Sequence, residues 1–144
     1  MVTAVLTKYK RENLFQEQLL SVQNQTIKVD EVLVCDNTID NKGVWERFKL
    51  AKESKNDFVW VLDDDTIPGQ EYLKNVLECF NEKEGLYGTR GLIFKSEEQY
   101  FSNYFDIGWA SKNEKITEVD FVTHSWFFKK DWLEYFWNVK NPPF

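Results

Sequence analysis

The stretch from Asp57 to Pro68, DFVWVLDDDTIP, decides the fold of this 144-residue chain. Residues Phe58 to Leu62 form a continuous apolar run rich in β-branched and aromatic side chains, which predicts a buried strand. The run ends abruptly at three adjacent carboxylates, Asp63, Asp64 and Asp65. The sequence therefore predicts a strand that ends in an acidic loop.

The acidic loop has two interpretations. Neighbouring carboxylates stay ionised together only when a positive charge lies among them or water reaches them freely. Side chains alternate in direction along extended backbone, so Asp63 and Asp65 can share one ion, and such oxygen ligands suit Mg²⁺ or Mn²⁺. A solvated acidic turn before a helix fits as well, since Pro68 and Glu71 are typical of a helix start. The buried strand before the loop favours the metal.

Length, charge and hydropathy restrict the class of protein. We expect a single domain over residues 1–144, long enough to bury a core. The net charge of −6 argues against nucleic acid or anionic membranes as partners. The apolar runs are far shorter than the roughly 20 residues that span a bilayer. Because Lys8, Lys10 and Arg11 follow the first apolar run, we expect no signal peptide and a cytoplasmic protein with reduced Cys35 and Cys79.

The first half of the chain alternates between strand and helix patterns. The predicted strands are Val2–Leu6, Glu31–Cys35 and Phe58–Leu62. The apolar faces of the predicted helices are Phe15, Leu19 and Val22; Val44, Trp45, Phe48 and Ala51; and Leu73, Val76, Leu77 and Phe80. Asn13 and Gln16 have the spacing of a capping box. This order predicts a mostly parallel sheet flanked by helices.

Each of these strands runs into a polar cluster. The clusters are Thr7 to Arg11, Asp36 to Thr38 and Asp63 to Asp65. Ligands bind at the carboxyl ends of the strands in parallel sheets, so we expect the clusters to meet at one edge. A basic loop, a lone carboxylate and a carboxylate triplet together suit a nucleoside diphosphate and its cation.

The second half of the chain is less regular. Residues 86–94 contain Gly88 and Gly91, which allow close backbone approach. We expect an aromatic-rich segment over residues 100–109, strands within 115–128 and an extended end over 141–144. Asp131 with Glu134 has the spacing of a helix cap. The aromatic residues on helical faces are interpreted as core: Trp45, Phe48, Phe80, Trp132 and Trp137.

Three motifs in order resemble inverting family 2 glycosyltransferases of the GT-A fold. The loop Thr7-Lys8-Tyr9-Lys10-Arg11, with Asn24-Gln25-Thr26 after the first helix, is similar to the start of that family. Val34 to Thr38 resembles its Val-Val-Asp-Asp-Gly-Ser segment, and Leu62 to Thr66 resembles its Asp-x-Asp motif. The resemblance covers residues 1–95, the expected nucleotide-sugar and metal half. Residues 96–144 would form the acceptor half, in which Asp120 to Leu133 resembles the acceptor segment.

The resemblance implies a Rossmann-like α/β fold, a nucleotide-sugar donor, with UDP favoured, and a hydroxyl-bearing acceptor such as a glycan or protein. Residues implied at the donor nucleotide are Thr7, Lys8, Tyr9, Arg11, Asp36, Asp63, Asp64 and Arg90. Asp65, with Asp63 nearby, would ligate Mn²⁺ or Mg²⁺. Thr7, Lys10 and Asn37 depart from the family pattern, which leaves the nucleotide open.

The sequence contains no Glu-Asp motif of the kind that often carries the general base in this family. In the family it often lies in a later Glu-Asp motif, and this chain ends at Phe144 before one, so we expect a C-terminally truncated enzyme. The catalytic candidates are Asp106, Asp120 and His124. A lone histidine beside a strand is more often structural. His124 and Trp126 are also the candidates for contact with the sugar or acceptor, although an aromatic-rich chain needs most of its tryptophans in the core.

Arg90 and two rival functions complete the predictions. Arg90 either reaches a phosphate or pairs with a surface carboxylate. A nucleotidyltransferase would typically have a Gly-rich phosphate loop after the first strand, whereas the first glycine here is Gly43. The other rival is a non-catalytic nucleotide-sugar or carbohydrate-binding remnant.

Overall fold

The computed structural model describes residues 1–96, 103–109 and 115–138. The strands are β1 (Val2–Lys8), β2 (Glu31–Asp36), β3 (Phe58–Leu62), β4 (Arg90–Phe94), β5 (Tyr104–Ile107), β6 (Phe121–Thr123) and β7 (Ser125–Lys129). The helices are α1 (Glu12–Gln23), α2 (Glu46–Ala51), α3 (Tyr72–Glu82) and α4 (Leu133–Trp137), with a 3₁₀ turn at Lys130–Trp132. The extended end predicted over residues 141–144 lies outside the described residues.

The main sheet has the order β2-β1-β3-β7. β1 runs parallel to both β2 and β3, as predicted, and β7 adds an antiparallel edge beside β3. In that pairing Leu62, the last residue of β3, lies opposite Ser125, the first residue of β7. The residue before β7, His124, is therefore delivered next to the first aspartate of the acidic loop.

The second sheet is antiparallel and has the order β5-β4-β6. A bridge between Tyr87 and Phe127 joins the segment before β4 to β7. The two glycines of this region lie where chains approach closely, as predicted. A Cβ on Gly88 would overlap the Ser125 carbonyl oxygen, and one on Gly91 would lie 2.6 Å from a Val119 methyl carbon.

Both faces of the main sheet are covered, because the central strands alternate their side chains between two apolar clusters. One cluster joins Leu6, Trp60 and Leu62 to α1 and α3. The other joins Val5, Val59 and Val61 to Ala51 of α2 and Leu133 of α4. The result is a mixed α/β fold with a mostly parallel sheet flanked by helices. Within the described ranges, no helix is long and apolar enough to cross a bilayer.

Several local predictions were wrong. α1 begins at Glu12, so Asn13 lies inside the helix, and Gln16 donates to the Glu12 carboxylate (2.9 Å) instead of closing a capping box. Asp131 lies in the 3₁₀ turn that leads into α4. Trp45 and Trp137 are 40% and 37% exposed, because both join Phe136 in an aromatic cluster at the surface. Cys35 and Cys79 are free thiols, as predicted.

Candidate functional site

The ends of the parallel strands converge, as the topology predicted. Lys8 at the end of β1 pairs with Asp36 at the end of β2, and Leu6 pairs with Leu62, just before the acidic loop. The basic loop after β1 and the carboxylates after β3 therefore lie on one rim. The closest link between them is Arg11, whose Nη1 lies 3.5 Å from Asp65 Oδ2 and 3.9 Å from Asp64 Oδ2.

Two of the three aspartates divide their oxygens in the same way. Asp63 accepts from Arg47 through Oδ1, while its Oδ2 lies 3.9 Å from His124 Nδ1. Asp65 lies near Arg11 through Oδ2, while its Oδ1 lies 4.0 Å from the same imidazole nitrogen. Each carboxylate thus has one oxygen beside an arginine and the other directed toward His124. Asp64 has its closest charged partner in Arg11 instead.

His124 holds this geometry through its backbone as well as its ring. Its φ of +66° is in the left-handed region, which is uncommon for a residue with a side chain. Its carbonyl accepts hydrogen bonds from the Asp63 N–H (2.9 Å) and the Thr66 hydroxyl (3.1 Å). The bend between β6 and β7 therefore fixes the acidic loop from the opposite side.

The donor set fits a divalent cation. One ligand atom each from Asp63, Asp65 and His124 lies within 4.8 Å of the others, close to the about 4.2 Å between opposite ligands of one Mg²⁺. The two carboxylates suit Mg²⁺ or Mn²⁺, and the imidazole adds a nitrogen ligand of the kind that transition metals accept. Arg11 and Arg47 together carry one charge fewer than the three aspartates, so the cluster keeps a net negative charge.

Arg47 is a site residue that the sequence analysis missed. It is buried on α2, its Nε donates to the Val44 carbonyl (3.0 Å), and burial lowers the pKa of its guanidinium. It remains a cation at neutral pH because the ordinary arginine pKa is so high. Its position four residues before the buried Ala51 was the available signal, since a charge on an apolar helix face needs a buried partner.

Gln18 is the second missed residue. It is fully buried on α1, and its amide nitrogen donates to the carbonyls of Asp63 and Thr66, both at 2.6 Å. Ser21, one turn later, donates to the Pro68 carbonyl. α1 thus holds the acidic loop by its backbone and leaves the carboxylates directed outward. The signal was the position of Gln18 within the buried stripe of Phe15 and Val22.

The residues predicted at the donor nucleotide differ in exposure. Thr7 is buried, and its hydroxyl donates to the Leu62 carbonyl (3.3 Å), so it joins β1 to β3. Lys8 pairs with Glu12 at 2.7 Å, which raises the pKa of the lysine. A hydrogen bond with Lys10 lowers the pKa of Tyr9. Thr38 donates twice to Asp36, once from its hydroxyl and once from its backbone N–H, and so lowers the pKa of that carboxyl.

The catalytic and acceptor candidates do not lie together, and two of them contact Arg90, which was predicted at the donor nucleotide. Arg90 donates to both Asp106 oxygens (3.0 and 2.6 Å), which lowers the pKa of Asp106, and its Nη1 lies 2.5 Å from His124 Nε2. His124 thus lies between Arg90, which is paired with Asp106, and the carboxylates of Asp63 and Asp65. Asp120 instead accepts from the Phe94 N–H (2.7 Å). Trp126 donates to the Val122 carbonyl (3.0 Å) and packs on Phe48.

The strand order, the flanking helices and the acidic rim define a GT-A-like α/β fold. The solved structures that it resembles include those of TarS from S. aureus, residues 1–349. The TM-score and identity are 0.58 and 15% for TarS alone, 0.56 and 14% for its complex with UDP, and 0.57 and 12% for its complex with UDP-GlcNAc. At this identity the likeness shows the fold alone.

These matches cover 98% of the present chain but only 50%, 50% and 48% of the TarS chains. The chain therefore spans about half the length of the structures it resembles. No family model and no curated protein matches the sequence.

Proposed function

We propose that this chain binds a nucleotide-sugar, with a UDP-sugar favoured, through a divalent cation, and transfers the sugar with inversion to a hydroxyl-bearing acceptor such as a glycan or protein. The observation that carries the proposal is the convergence of Asp63, Asp65 and His124 within 4.8 Å at the rim of a GT-A-like sheet. The complexes of TarS with UDP and UDP-GlcNAc support the class of donor.

In this proposal Asp63, Asp65 and His124 would hold Mn²⁺ or Mg²⁺, and the bound ion would supply positive charge to the diphosphate leaving group. Arg11 lies on the same rim, so its guanidinium would add a second positive charge near the diphosphate. For His124 Nδ1 to bind an ion, its ring proton must lie on Nε2, and two donors would then face each other at Arg90. Ion binding would therefore break the Arg90–His124 contact, while Arg90 would stay paired with both oxygens of Asp106.

A binding protein without catalysis is the second candidate, and one observation favours it. Both candidate bases among the described aspartates are engaged: Asp106 by Arg90, which lowers its pKa, and Asp120 by the Phe94 N–H. A carboxylate with a lowered pKa is a weak base for an acceptor hydroxyl. Release of UDP from UDP-GlcNAc, with and without acceptor glycans, separates the two candidates.

Calorimetric titration of UDP and of GDP, first with Mn²⁺ and then with a chelator, tests the donor site. We expect UDP to bind with Mn²⁺ and to lose that affinity with the chelator, because its diphosphate needs the bridging charge. Asp65→Asn should weaken binding at least tenfold, and the matched change Asp131→Asn, at an exposed turn, should leave it unchanged. If folded protein binds neither nucleotide, the three aspartates are only a solvated acidic turn.

A further inference from the structure

Trp109 presents an exposed indole beside the carboxylate site. The residue is 61% exposed, yet its ring is supported. The Arg90 guanidinium carbon lies 4.1 Å from the ring centroid, and the His124 ring lies nearly parallel at 25°, with 6.1 Å between centroids. An unsupported surface tryptophan would have none of these contacts.

Arg90 and His124 lie on the same face of the indole. Groups stacked on opposite faces of one ring are about 7 Å apart, twice a contact distance, whereas Arg90 Nη1 and His124 Nε2 are 2.5 Å apart. The two hydrogen bonds that the guanidinium donates to Asp106 hold it in place beneath the ring. One indole face is therefore packed on the Arg90 and His124 side chains, while the residue as a whole remains 61% exposed.

From this geometry we propose that Trp109 is a stacking platform for a sugar ring, an assignment that rests on the proposed function. A pyranose has an apolar face of C–H groups, which packs on an aromatic face, and hydroxyls at its edge. His124 packs beneath the indole, and its Nδ1 lies 3.9 Å from Asp63 Oδ2 and 4.0 Å from Asp65 Oδ1. A ring on Trp109 would thus lie beside the proposed cation.

The sheet topology favours a sugar over a nucleobase at this position. Tyr9 and Asp36, which the family resemblance implies at the donor nucleotide, lie directly after β1 and at the end of β2. Trp109 follows β5, a strand of the second sheet, which is joined to the opposite edge of the main sheet through β7. The acidic loop after β3 lies between these two sides, where the diphosphate is expected.

Trp126, the tryptophan that the sequence analysis favoured, is less suited to this role. Its indole N–H donates to the Val122 carbonyl, and its ring packs edge-on against Phe48 at 5.4 Å. These contacts place Trp126 in the packing beside α2. The structure thus assigns the sugar contact to Trp109.

The test compares Trp109→Ala, Trp109→Leu and Trp109→Phe by calorimetry with Mn²⁺ present. The first arm measures UDP against UDP-GlcNAc and UDP-glucose, and reports on a donor sugar. The second arm titrates methyl glycosides and short glycans into the UDP-bound protein, and reports on an acceptor sugar. Trp45→Ala, at an indole on the α2 side, is the matched control, and urea unfolding shows that each variant is folded.

We expect Trp109→Ala and Trp109→Leu to weaken sugar binding about tenfold in one arm while UDP alone changes less than twofold. Leucine keeps apolar cover over Arg90 but has no π face, and Trp109→Phe should restore most of the affinity. The arm that responds identifies the sugar as donor or acceptor.

The proposal is overturned if neither arm changes in folded Trp109→Leu protein, or if UDP alone loses as much affinity as the UDP-sugars. Failure of the unaltered protein to bind UDP would instead count against the proposed function. The glycoside titration without nucleotide would then still decide whether Trp109 contacts sugar.

Discussion

Arg47 and Asp63 form an ion pair in which the guanidinium is buried and the carboxylate reaches the rim, with side chains 8% and 25% exposed. The pair fixes one Asp63 oxygen inside the protein and leaves the other facing His124. The buried guanidinium of Arg47 thus relieves part of the electrostatic repulsion within the acidic loop.

Arg47→Met should lower the free energy of unfolding by about 2–3 kcal/mol, because it leaves a partly buried carboxylate without its cation. Arg47→Met combined with Asp63→Asn should recover part of that loss. Lys49→Met, at an exposed position of the same helix, should cost less than about 0.5 kcal/mol. Urea unfolding measures the free energy of unfolding of the unaltered protein and of these three variants. If Arg47→Met and the double variant lose the same stability, the Arg47–Asp63 pair is not coupled.

A comparison of Gln18→Met with Gln25→Met should distinguish an effect on the position of the acidic loop from a general loss of stability. Both glutamines are fully buried on or just after α1 and donate to loop carbonyls, so each change should cost about 2 kcal/mol. Gln18 holds Asp63 and Thr66, whereas Gln25 holds Gly69 and Leu73 at the start of α3. If the proposed cation site is correct, Mn²⁺ affinity measured by electron paramagnetic resonance should fall about fivefold for Gln18→Met only. Equal changes would contradict a positioning role for Gln18.

Glu31→Gln should have a pH-dependent effect on stability. Hydrogen bonds from the Lys55 N–H (3.0 Å) and the Thr3 hydroxyl (2.8 Å) hold the pKa of Glu31 below its ordinary value. This stabilisation is complete above the ordinary pKa of about 4.3 and is lost as the pH falls through the lower pKa of the folded state. Unfolding by urea should show a loss of about 1 kcal/mol at pH 7 that shrinks towards pH 3. A loss that grows on acidification would have the wrong sign.

Gly88→Ala should be strongly destabilising, while Gly69→Ala should be nearly neutral. A Cβ at Gly88 would overlap the Ser125 carbonyl oxygen, which is backbone and cannot rotate away, whereas a Cβ at Gly69 meets nothing within 4 Å. We expect a loss of at least about 2 kcal/mol for the first and less than about 0.5 kcal/mol for the second. Scanning calorimetry gives both values, and similar melting temperatures would show that the segment before β4 is free to move.

The main sheet was predictable because short stretches of sequence are enough to identify its parallel strands and where they end. Phe58 to Leu62 is apolar throughout because both of its faces are covered, and the acidic residues after it mark the strand end. The parallel order of β1, β2 and β3 then follows from the alternation of strand and helix. The antiparallel β7 did not follow, since nothing local in Ser125 to Lys129 specifies the neighbour with which it pairs.

The candidate site was predictable only in part, because the residues that contact its aspartates lie far from them in the sequence. Asp63 and Asp65 were expected to act together, and they do face one imidazole. Arg47 lies 16 residues from its partner on a different element, and only the fold brings the two together. The predicted helical face likewise placed Trp45 in the core, whereas α2 begins only at Glu46 and Trp45 is 40% exposed.

The left-handed backbone of His124 has a consequence for how natural or laboratory variation at this position is interpreted. A glycine would relax the bend but remove the ring, and most other side chains would keep some bulk but strain the bend. Asparagine is the exchange that tolerates the backbone and retains a polar atom at the rim. If the proposed cation site is correct, position 124 must satisfy a requirement of backbone geometry and a requirement of ligand chemistry at once, and few replacements meet both.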